Sequence, residues 1–317
     1  MIRWGILGIG NIAQRFIKSL SHSDEGVLYA VASYTLKKRE AFSSEYPDVK
    51  IYDNYEDILN DPHIDVVYLA MRHNDHYQWA KKALKKHKAV LCEKPATLSY
   101  QQTQELCHLS KENNVLFLEG MKSRFIPLRE DIHKFLKSQK LGQILEIQTY
   151  FCSDVSYMPE SYLFDSLQGG ALYDVGIYNI ATLLDLIHSP VINIVSHVHY
   201  WHGVDAHDVI ELTYESGQKA IIEISIQNAK EKSMIVKGEK GVLKAVPFYR
   251  PQKALIQFQD GTEEVLERSY IYDDFYTEIM EVHRCLKEHL IESPSMSHLD
   301  SLKCIALMER IKGTFHG

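Results

Sequence analysis

Three short stretches of this 317-residue chain carry side chains whose types and spacing suit chemistry as well as packing. The earliest is Gly8-Ile9-Gly10-Asn11-Ile12-Ala13, a G-x-G-x-x-A turn between the apolar run 2–7 and a segment in which Ile12, Phe16 and Leu20 recur at helical spacing. Such a tripeptide skeleton alone is only a glycine turn. Between a strand and a helix it becomes a dinucleotide fingerprint: Gly8 permits the tight turn, Gly10 lets the backbone approach a pyrophosphate, and the helix start offers N–H groups to an anion. The second stretch is Cys92-Glu93-Lys94-Pro95 at the end of the fourth expected strand. Ligands of open α/β sheets bind beyond the carboxyl ends of the strands, so Glu93 and Lys94 are expected to face the crevice that holds a nicotinamide. Pro95 stops the strand and fixes its exit. The third runs from Gly169-Gly170 to Asp174 and Tyr178, which a helix would set on one face, a carboxylate and a phenol offered to the same space.

These residues need a scaffold, and the hydrophobic pattern supplies one. From Ile2 to about Leu118 short apolar runs alternate with amphipathic stretches, as a parallel sheet with crossover helices requires. Strands are expected over 3–7, 28–33, 65–70, 89–92 and 115–118, and helices over 12–20, 37–45, 75–86 and 100–113. Ser99 with Gln102 makes a capping box for the last of these. After Met121 the rhythm changes to a helix over 127–138, a strand over 143–152 and a helix opened by the double glycine. Two-residue alternation from Ile192 to Val265, broken at Ser216-Gly217, Lys240-Gly241 and Asp260-Gly261, then implies antiparallel strands joined by tight turns. Helical patterns over 272–288 and 298–311 close the chain. The expected fold class is therefore α/β: an N-terminal Rossmann doubly wound parallel sheet in residues 1–120, and a C-terminal α+β domain in residues 121–317 with a large open, mainly antiparallel sheet.

Composition excludes several partners. The formal charge of −7 arises from 42 acidic and 35 basic residues spread along the chain, with no basic block to track a phosphate backbone, so no nucleic-acid partner is expected. No apolar run reaches the roughly 18 residues of a membrane span, and none near Met1 is long enough for a signal peptide, so a cytoplasmic protein with no membrane partner is expected. Five widely spaced cysteines without a C-x-x-C pair read as reduced thiols.

At the end of the second expected strand, where NAD enzymes usually carry Asp or Glu, the sequence reads Ala32-Ser33-Tyr34-Thr35, followed by Lys37, Lys38 and Arg39. Hydroxyls from Ser33 and Thr35 with the Lys38 cation suit a 2′-phosphate, so NADP is the expected cofactor and NAD the alternative. Lysines in the solvated first turn of a helix are the plain reading of the same residues.

Together these residues resemble the Gfo/Idh/MocA family, the glucose-fructose oxidoreductase, inositol dehydrogenase and rhizopine-catabolism group, over nearly the whole chain. Gly8-x-Gly10-x-x-Ala13, Glu93-Lys94-Pro95, Glu119 followed by Arg124-Phe125, and Gly169-Gly170-Ala171-Leu172-x-Asp174-x-Gly176-x-Tyr178 carry the resemblance. Tyr178 stands where many members have His, which leans towards the dimeric dihydrodiol dehydrogenase and NADP-dependent xylose dehydrogenase branch. The resemblance implies substrate held between a Rossmann domain and a second domain whose sheet often forms the oligomer contact, hence a homo-oligomer, dimer or tetramer. It implies Lys94 as the active-site lysine, Tyr178 as acid/base and Asp174 as an orienting carboxylate. Glu93 is implied near the nicotinamide amide or ribose, and His76 matches the family's histidine on the helix after the third strand. Tyr34, Ala70 and His73 complete the expected cofactor set.

Physical chemistry agrees. A phenol of pKa about 10 is a poor base at neutral pH, and a lysine cation beside it stabilises the phenolate, which lets Tyr178 take an alcohol proton as hydride leaves. A dehydrogenase or reductase acting on a sugar, polyol or diol follows. The alternative is a non-catalytic dinucleotide-responsive regulator, which has no need of such a pair. Two residues depart from the family pattern: Arg72 before His73, where many relatives have a neutral pair, and Tyr34, where the NADP branch commonly has Arg.

Other clusters carry less. His197, His199, His202 and His207 with Asp205 and Asp208 suggest a metal, but no H-E-x-x-H or Cys/His set accompanies them and none is expected. Tyr150, Asp154, Tyr157 and Asp165 lie where a loop would contact substrate. Glu278 and Glu281 are expected on a solvated helix face.

Overall fold

The computed structural model describes residues 1–315 and divides the chain into two compact units. The first contains β1 (Ile2–Leu7), α1 (Asn11–Leu20), β2 (Gly26–Ala32), α2 (Leu36–Glu45), β3 (Lys50–Tyr52), α3 (Tyr55–Asn60), β4 (Val66–Leu69), α4 (His73–Lys85), β5 (Ala89–Glu93), α5 (Tyr100–Asn113) and β6 (Phe117–Gly120). Its six strands pair in parallel in the order β3-β2-β1-β4-β5-β6, the doubly wound arrangement. β4 is buried at every position because helices cover both faces of such a sheet.

Register does the functional work here. Leu7 stands opposite Ala32 and Leu69, Leu69 opposite Cys92, and Cys92 opposite Glu119, so five strands end level. Gly8, Ser33, Ala70 and Glu93, far apart in sequence, therefore leave the sheet along one rim.

The second unit holds α6 (Leu128–Lys137), β7 (Ile144–Cys152), α7 (Ile177–Leu186), β8 (Val191–Trp201), β9 (Val204–Tyr214), β10 (Lys219–Ser225), β11 (Met234–Gly238), β12 (Gly241–Ala245), β13 (Lys253–Phe258) and β14 (Glu263–Glu267). They form an eight-stranded sheet, β14-β13-β12-β11-β7-β10-β9-β8, antiparallel except between β7 and β10. α7 lies against β7. β9 alternates buried with less buried positions, as a strand covered on one face does.

Two helices end the chain, α8 (Asp274–Lys287) and α9 (His298–Lys312). The expected division gave residues 121–317 to the second domain, whereas Ile271–Leu302, with all of α8, folds with the first unit. The reason is a polar and aromatic seam. The Trp4 indole N–H donates to Nε2 of buried His283 at 2.9 Å, and the Phe16 ring stands edge-on to Phe275 at 5.9 Å. Ser19 donates to Asp273 at 2.5 Å, and Arg15 pairs with Asp274 at 3.3 Å. Burial lowers the pKa of His283 to about 4, which keeps the lone pair that accepts from Trp4. Glu278 corrects a second expectation: it is fully buried, and Glu281 is mostly buried and bonded to Arg284 and Ser293. Among the described residues no helix is long and apolar enough to cross a membrane.

Candidate active site

The β1–α1 turn has the two properties a pyrophosphate cradle needs. Gly8 sits at φ +97°, and a Cβ there would stand 2.3 Å from the carbonyl oxygen of Ala70, so only glycine fits. A Cβ on Gly10, by contrast, would meet nothing within 4 Å. Gly10 caps α1 without a side-chain hydrogen bond, and no acidic residue stands in the first turn, which begins Asn11-Ile12-Ala13. Free N–H groups, a positive helix end and open space above them fit a dinucleotide phosphate.

At the end of β2, Ser33 is buried and its hydroxyl accepts from the Thr35 N–H at 3.2 Å. Lys38 is exposed in the first turn of α2. The cation drawn to the strand end is Arg39, whose guanidinium donates to the Ser33 carbonyl at 2.7 Å. Helical side chains lean towards the N-terminus of their helix, and that direction could have singled out Arg39 from sequence. Tyr34 is exposed, its ring 4.5 Å from Tyr55, which in turn stands edge-on to Trp79 at 5.1 Å.

Beyond β4, the Ala70 N–H donates to Leu7 at 3.0 Å and fixes the carbonyl that faces Gly8. Arg72, the departure noted in the sequence, is exposed, and His73 opens α4 in a buried position. His76 is wholly buried, with Nδ1 2.8 Å from the Pro95 carbonyl and Nε2 3.2 Å from that of Met71. Burial pushes its pKa down, against the pull of the two carbonyls and of Glu93, and the ring stands between the loops after β4 and β5. Its place is behind those loops.

Glu93 is also buried, its Oε1 accepting from the Tyr68 hydroxyl at 2.6 Å. Tyr68 stacks on Phe16 at 4.0 Å, so an aromatic column supports that carboxylate from inside the unit. Lys94 is half-buried and joined to Pro95 by a cis peptide bond. Glu119, at the level of Cys92 in β6, accepts from the Ala96 N–H at 2.9 Å and braces the loop that carries Lys94.

In the second unit the double glycine is sterically required. A Cβ on Gly169 would meet the Leu163 carbonyl oxygen at 2.3 Å, and one on Gly170, at φ +91°, would meet Asp205 Oδ1 at 2.2 Å. Asp205 Oδ2 accepts from the Leu172 N–H at 2.7 Å, so this carboxylate pins the start of the helix. That start differs from expectation: Leu172–Gly176 winds as a π-helix before α7 begins at Ile177. One wide turn of this kind recurs at functional sites. Asp174 lies within it, half-buried, and accepts from the Tyr162 hydroxyl at 3.1 Å.

Tyr178 is buried on α7. Its ring is 5.8 Å from Phe151 and 5.4 Å from Tyr249, and those two rings stack at 4.6 Å. α7 is anchored further along by Asp185, which accepts from Arg124 at 3.0 Å, from Arg129 at 2.5 and 2.7 Å, and meets His133 at 2.8 Å. Burial alone would raise the Asp185 carboxyl, yet the bonds from Arg129 and His133 and the charge of Arg124 hold it well below the usual carboxylate range.

Of the loop residues, Asp165 caps its own turn through the Leu167 N–H and Gln168, while Asp154 bridges to Gln227. Tyr150 donates to Gln148 at 2.9 Å, and Tyr157 stacks on His202 at 3.6 Å. Tyr162, Phe151 and Tyr249 sit around the Asp174–Tyr178 segment instead, and no spacing in the sequence announced them. The histidine cluster is split by the pleat of the sheet: His197 and His199 are exposed, whereas Asp205 and Asp208 are buried. Among the described residues no three His, Cys, Asp or Glu come together as a metal would need. Burial and the carboxylate of Asp205 beside it push Asp208 up to about 9, so Asp208 is protonated at neutral pH.

Residues 2–121 match a family model described as an oxidoreductase family with an NAD-binding Rossmann fold, and residues 130–244 match the GFO/IDH/MocA C-terminal domain. The chain is 29% identical to a trans-1,2-dihydrobenzene-1,2-diol dehydrogenase of Xenopus laevis, covering 97% of this chain and 96% of the relative. It is 25% identical to the scyllo-inositol 2-dehydrogenase (NADP(+)) IolU of Bacillus subtilis, covering 98% and 96%. Among solved structures, KijD10, a 3-ketoreductase from Actinomadura kijaniata in complex with NADP and TDP-benzene, superposes with a TM-score of 0.89 at 23% identity, covering 99% of this chain and 97% of the other. An aldose-aldose oxidoreductase from Caulobacter crescentus with glycerol gives 0.88 at 20% identity, covering the same shares. At such identities these structures share the fold.

Proposed function

Because this chain belongs to the Gfo/Idh/MocA family of oxidoreductases, we propose that it moves a hydride between NADP and a carbohydrate, polyol or diol, with Tyr178 as acid/base assisted by Lys94. The observation that carries the reading is the uncapped start of α1 beneath the open space at Gly10. Absence of an acid at the end of β2, the buried Ser33 and the Arg39 guanidinium support NADP over NAD. A relative named for NADP(+) and neighbours solved with NADP point the same way.

The bound nicotinamide accepts or supplies the hydride. The chain's own residues handle the rest. Tyr178 takes the hydroxyl proton as the carbonyl forms and returns it in reduction, and the charge of Lys94 favours the phenolate. Asp174, held by the Tyr162 hydroxyl, accepts a hydrogen bond from a neighbouring substrate hydroxyl and so orients the carbinol. Assembly into a homo-oligomer through the open face of the eight-stranded sheet, where Ile192, Val195 and Tyr200 are exposed, belongs to the same reading and is read as a mass by light scattering.

Fluorescence titration of the purified protein with NADPH and NADH, followed by a panel of polyols, diols and aldoses at the nicotinamide absorbance, tests the proposal. Tighter NADPH binding with turnover is the expected result. Binding of neither nucleotide would sink it, and tight binding with no turnover would favour a regulator.

A further inference from the structure

The helical segment that carries Asp174 and Tyr178 is held at its start by a strand remote from it in sequence. Ala171, just before the π turn, gives no side-chain cap. The acceptor comes from β9: Asp205 Oδ2 takes the Leu172 N–H at 2.7 Å, and Oδ1 packs so closely on Gly170 that no side chain fits there.

A bulge is what turns Asp205 inwards. Along β9 the buried face is made by Asp208, Ile210, Leu212 and Tyr214, so strict alternation would add Ala206 to it and send Asp205 to the other face. The register with β8 slips between His199, opposite His207, and Tyr200, opposite Asp205, which leaves Ala206 as the extra residue. Its carbonyl accepts from the Ile226 N–H at 2.9 Å and the Ser225 hydroxyl at 3.1 Å. Bulges re-aim side chains next to functional sites, and here the result is a buried pair of carboxyl groups, Asp205 and Asp208. Two carboxylates repel, and no donor among the described residues reaches either oxygen of Asp208. The pair is satisfied when Asp208 keeps a proton and gives it to Asp205 as a hydrogen bond.

We propose that Asp205 and Asp208, bridged by one proton, are positioning residues of this active site: the pair fixes the π turn, and through it the places of Asp174 and Tyr178. The proposal rests on the reading of Tyr178 as acid/base and adds how that site is held.

With the bridge in place Asp205 keeps its negative charge for the Leu172 N–H, a charge-assisted bond. Two further groups face the pair. Lys312 of α9, its Nζ 4.1 Å from the centre of the Tyr173 ring, pulls Asp205 down, and Tyr200 of β8 is pushed up by burial and by both carboxylates. The Leu172 N–H and the charge of Lys312 both favour ionised Asp205, so Asp208 is the member that keeps the proton, and burial and Asp205 push it up to about 9. Above that pH two buried charges face each other, and Asp205 is driven away from Leu172 and Gly170.

The first measurement is independent of turnover. Infrared difference spectra of wild type against Asp208→Asn should show, at pH 7, the carbonyl stretch of a protonated carboxyl group, and that band should fade as the pH passes 9. Alcohol oxidation with NADP is then followed at pH 7 and pH 10, a direction in which loss of the Tyr178 proton does not slow the base. Asp208→Asn keeps a donor towards Asp205 that does not titrate. The ratio of kcat at pH 10 to kcat at pH 7 should therefore be about tenfold higher in this variant than in wild type, because about one molecule in ten keeps its bridge a unit above the pKa. Groups common to both proteins, Lys94 among them, cancel in that comparison. Asp205→Asn, a weaker acceptor for Leu172, should lower kcat by about tenfold at pH 7 while NADPH affinity holds. Absence of the acid band in wild type overturns the proposal, as do equal pH ratios in the two proteins, and both results stand even if Asp205→Asn fails to fold. Turnover that Tyr178→Phe leaves unchanged removes the reading on which the proposal rests. Turnover that needs Tyr178 but is indifferent to Asp205 and Asp208 removes the proposal alone.

Discussion

The sites proposed for the two units are built from different materials. In the first, the cradle is mostly backbone: the Gly8 turn, the start of α1 and five strand ends brought level by register. In the second, it is side chains contributed by separated segments, with Phe151, Tyr162, Asp174, Tyr178 and Tyr249 brought together by an eight-stranded sheet and a π turn. A backbone site recognises what every dinucleotide shares. A side-chain site can be retuned one residue at a time, which suits it to choosing substrate.

If that division is right, Tyr178→Phe should separate the two most sharply. It removes the phenol and leaves the first unit untouched, so NADPH affinity should hold while kcat falls by about 10² to 10⁴. Stopped-flow absorbance measures the second quantity, and unchanged turnover would take Tyr178 out of the mechanism. The converse change is Gly10→Val. Because a Cβ at Gly10 has open space in the protein, the thermal midpoint should barely move while the nucleotide's affinity drops by about ten- to a hundredfold. A large loss of stability instead would mean that the space serves folding. A smaller effect is expected of Arg39→Ala, which should weaken NADPH by about tenfold and leave NADH unaffected, so the ratio of the two is the readout.

The smallest effect concerns the second unit's interior. The folded-state pKa of Asp208, about 9, lies above its ordinary value, so the folded protein keeps a proton that the unfolded chain releases above about pH 4. Stability from this group is fully present below the ordinary pKa and declines as pH rises towards 9. Asp208→Asn, which mimics the protonated acid, should raise the thermal midpoint by a few degrees, more at pH 8 than at pH 5. An equal shift at both values would mean that Asp208 is already ionised in the folded protein.

The same contrast explains what could be read from the chain. The glycine turn, Glu93-Lys94-Pro95 and the double glycine are contiguous motifs, and the strand-helix alternation of the first 120 residues is long-range periodicity, so both were legible. β3 and α3 were not, because segments of three and six residues carry too little pattern, although Asn54 caps α3 by accepting from Asp57. Nor was the π turn, whose sequence is indistinguishable by pattern from an α-helical one. Parallel pairing of β7 with β10 joins residues 73 positions apart in register, from Lys219 with Glu146 at one end to Ser225 with Cys152 at the other, a pairing set by packing and not by local preference. Glu278 was misplaced because a helix face counts as solvated only until another element covers it.

The seam between α1 and α8 also bears on the order in which the chain is made. Synthesis proceeds from the N-terminus, and domains commonly fold as they emerge. Here the indole of Trp4 gains its acceptor only when His283 exists, and Phe16 meets Phe275 only then. The nucleotide-binding unit, most of which is translated ahead of the second, is therefore among the last parts to be finished, and a nascent chain must keep that aromatic surface from other partners until His283, 279 residues after Trp4, has been joined.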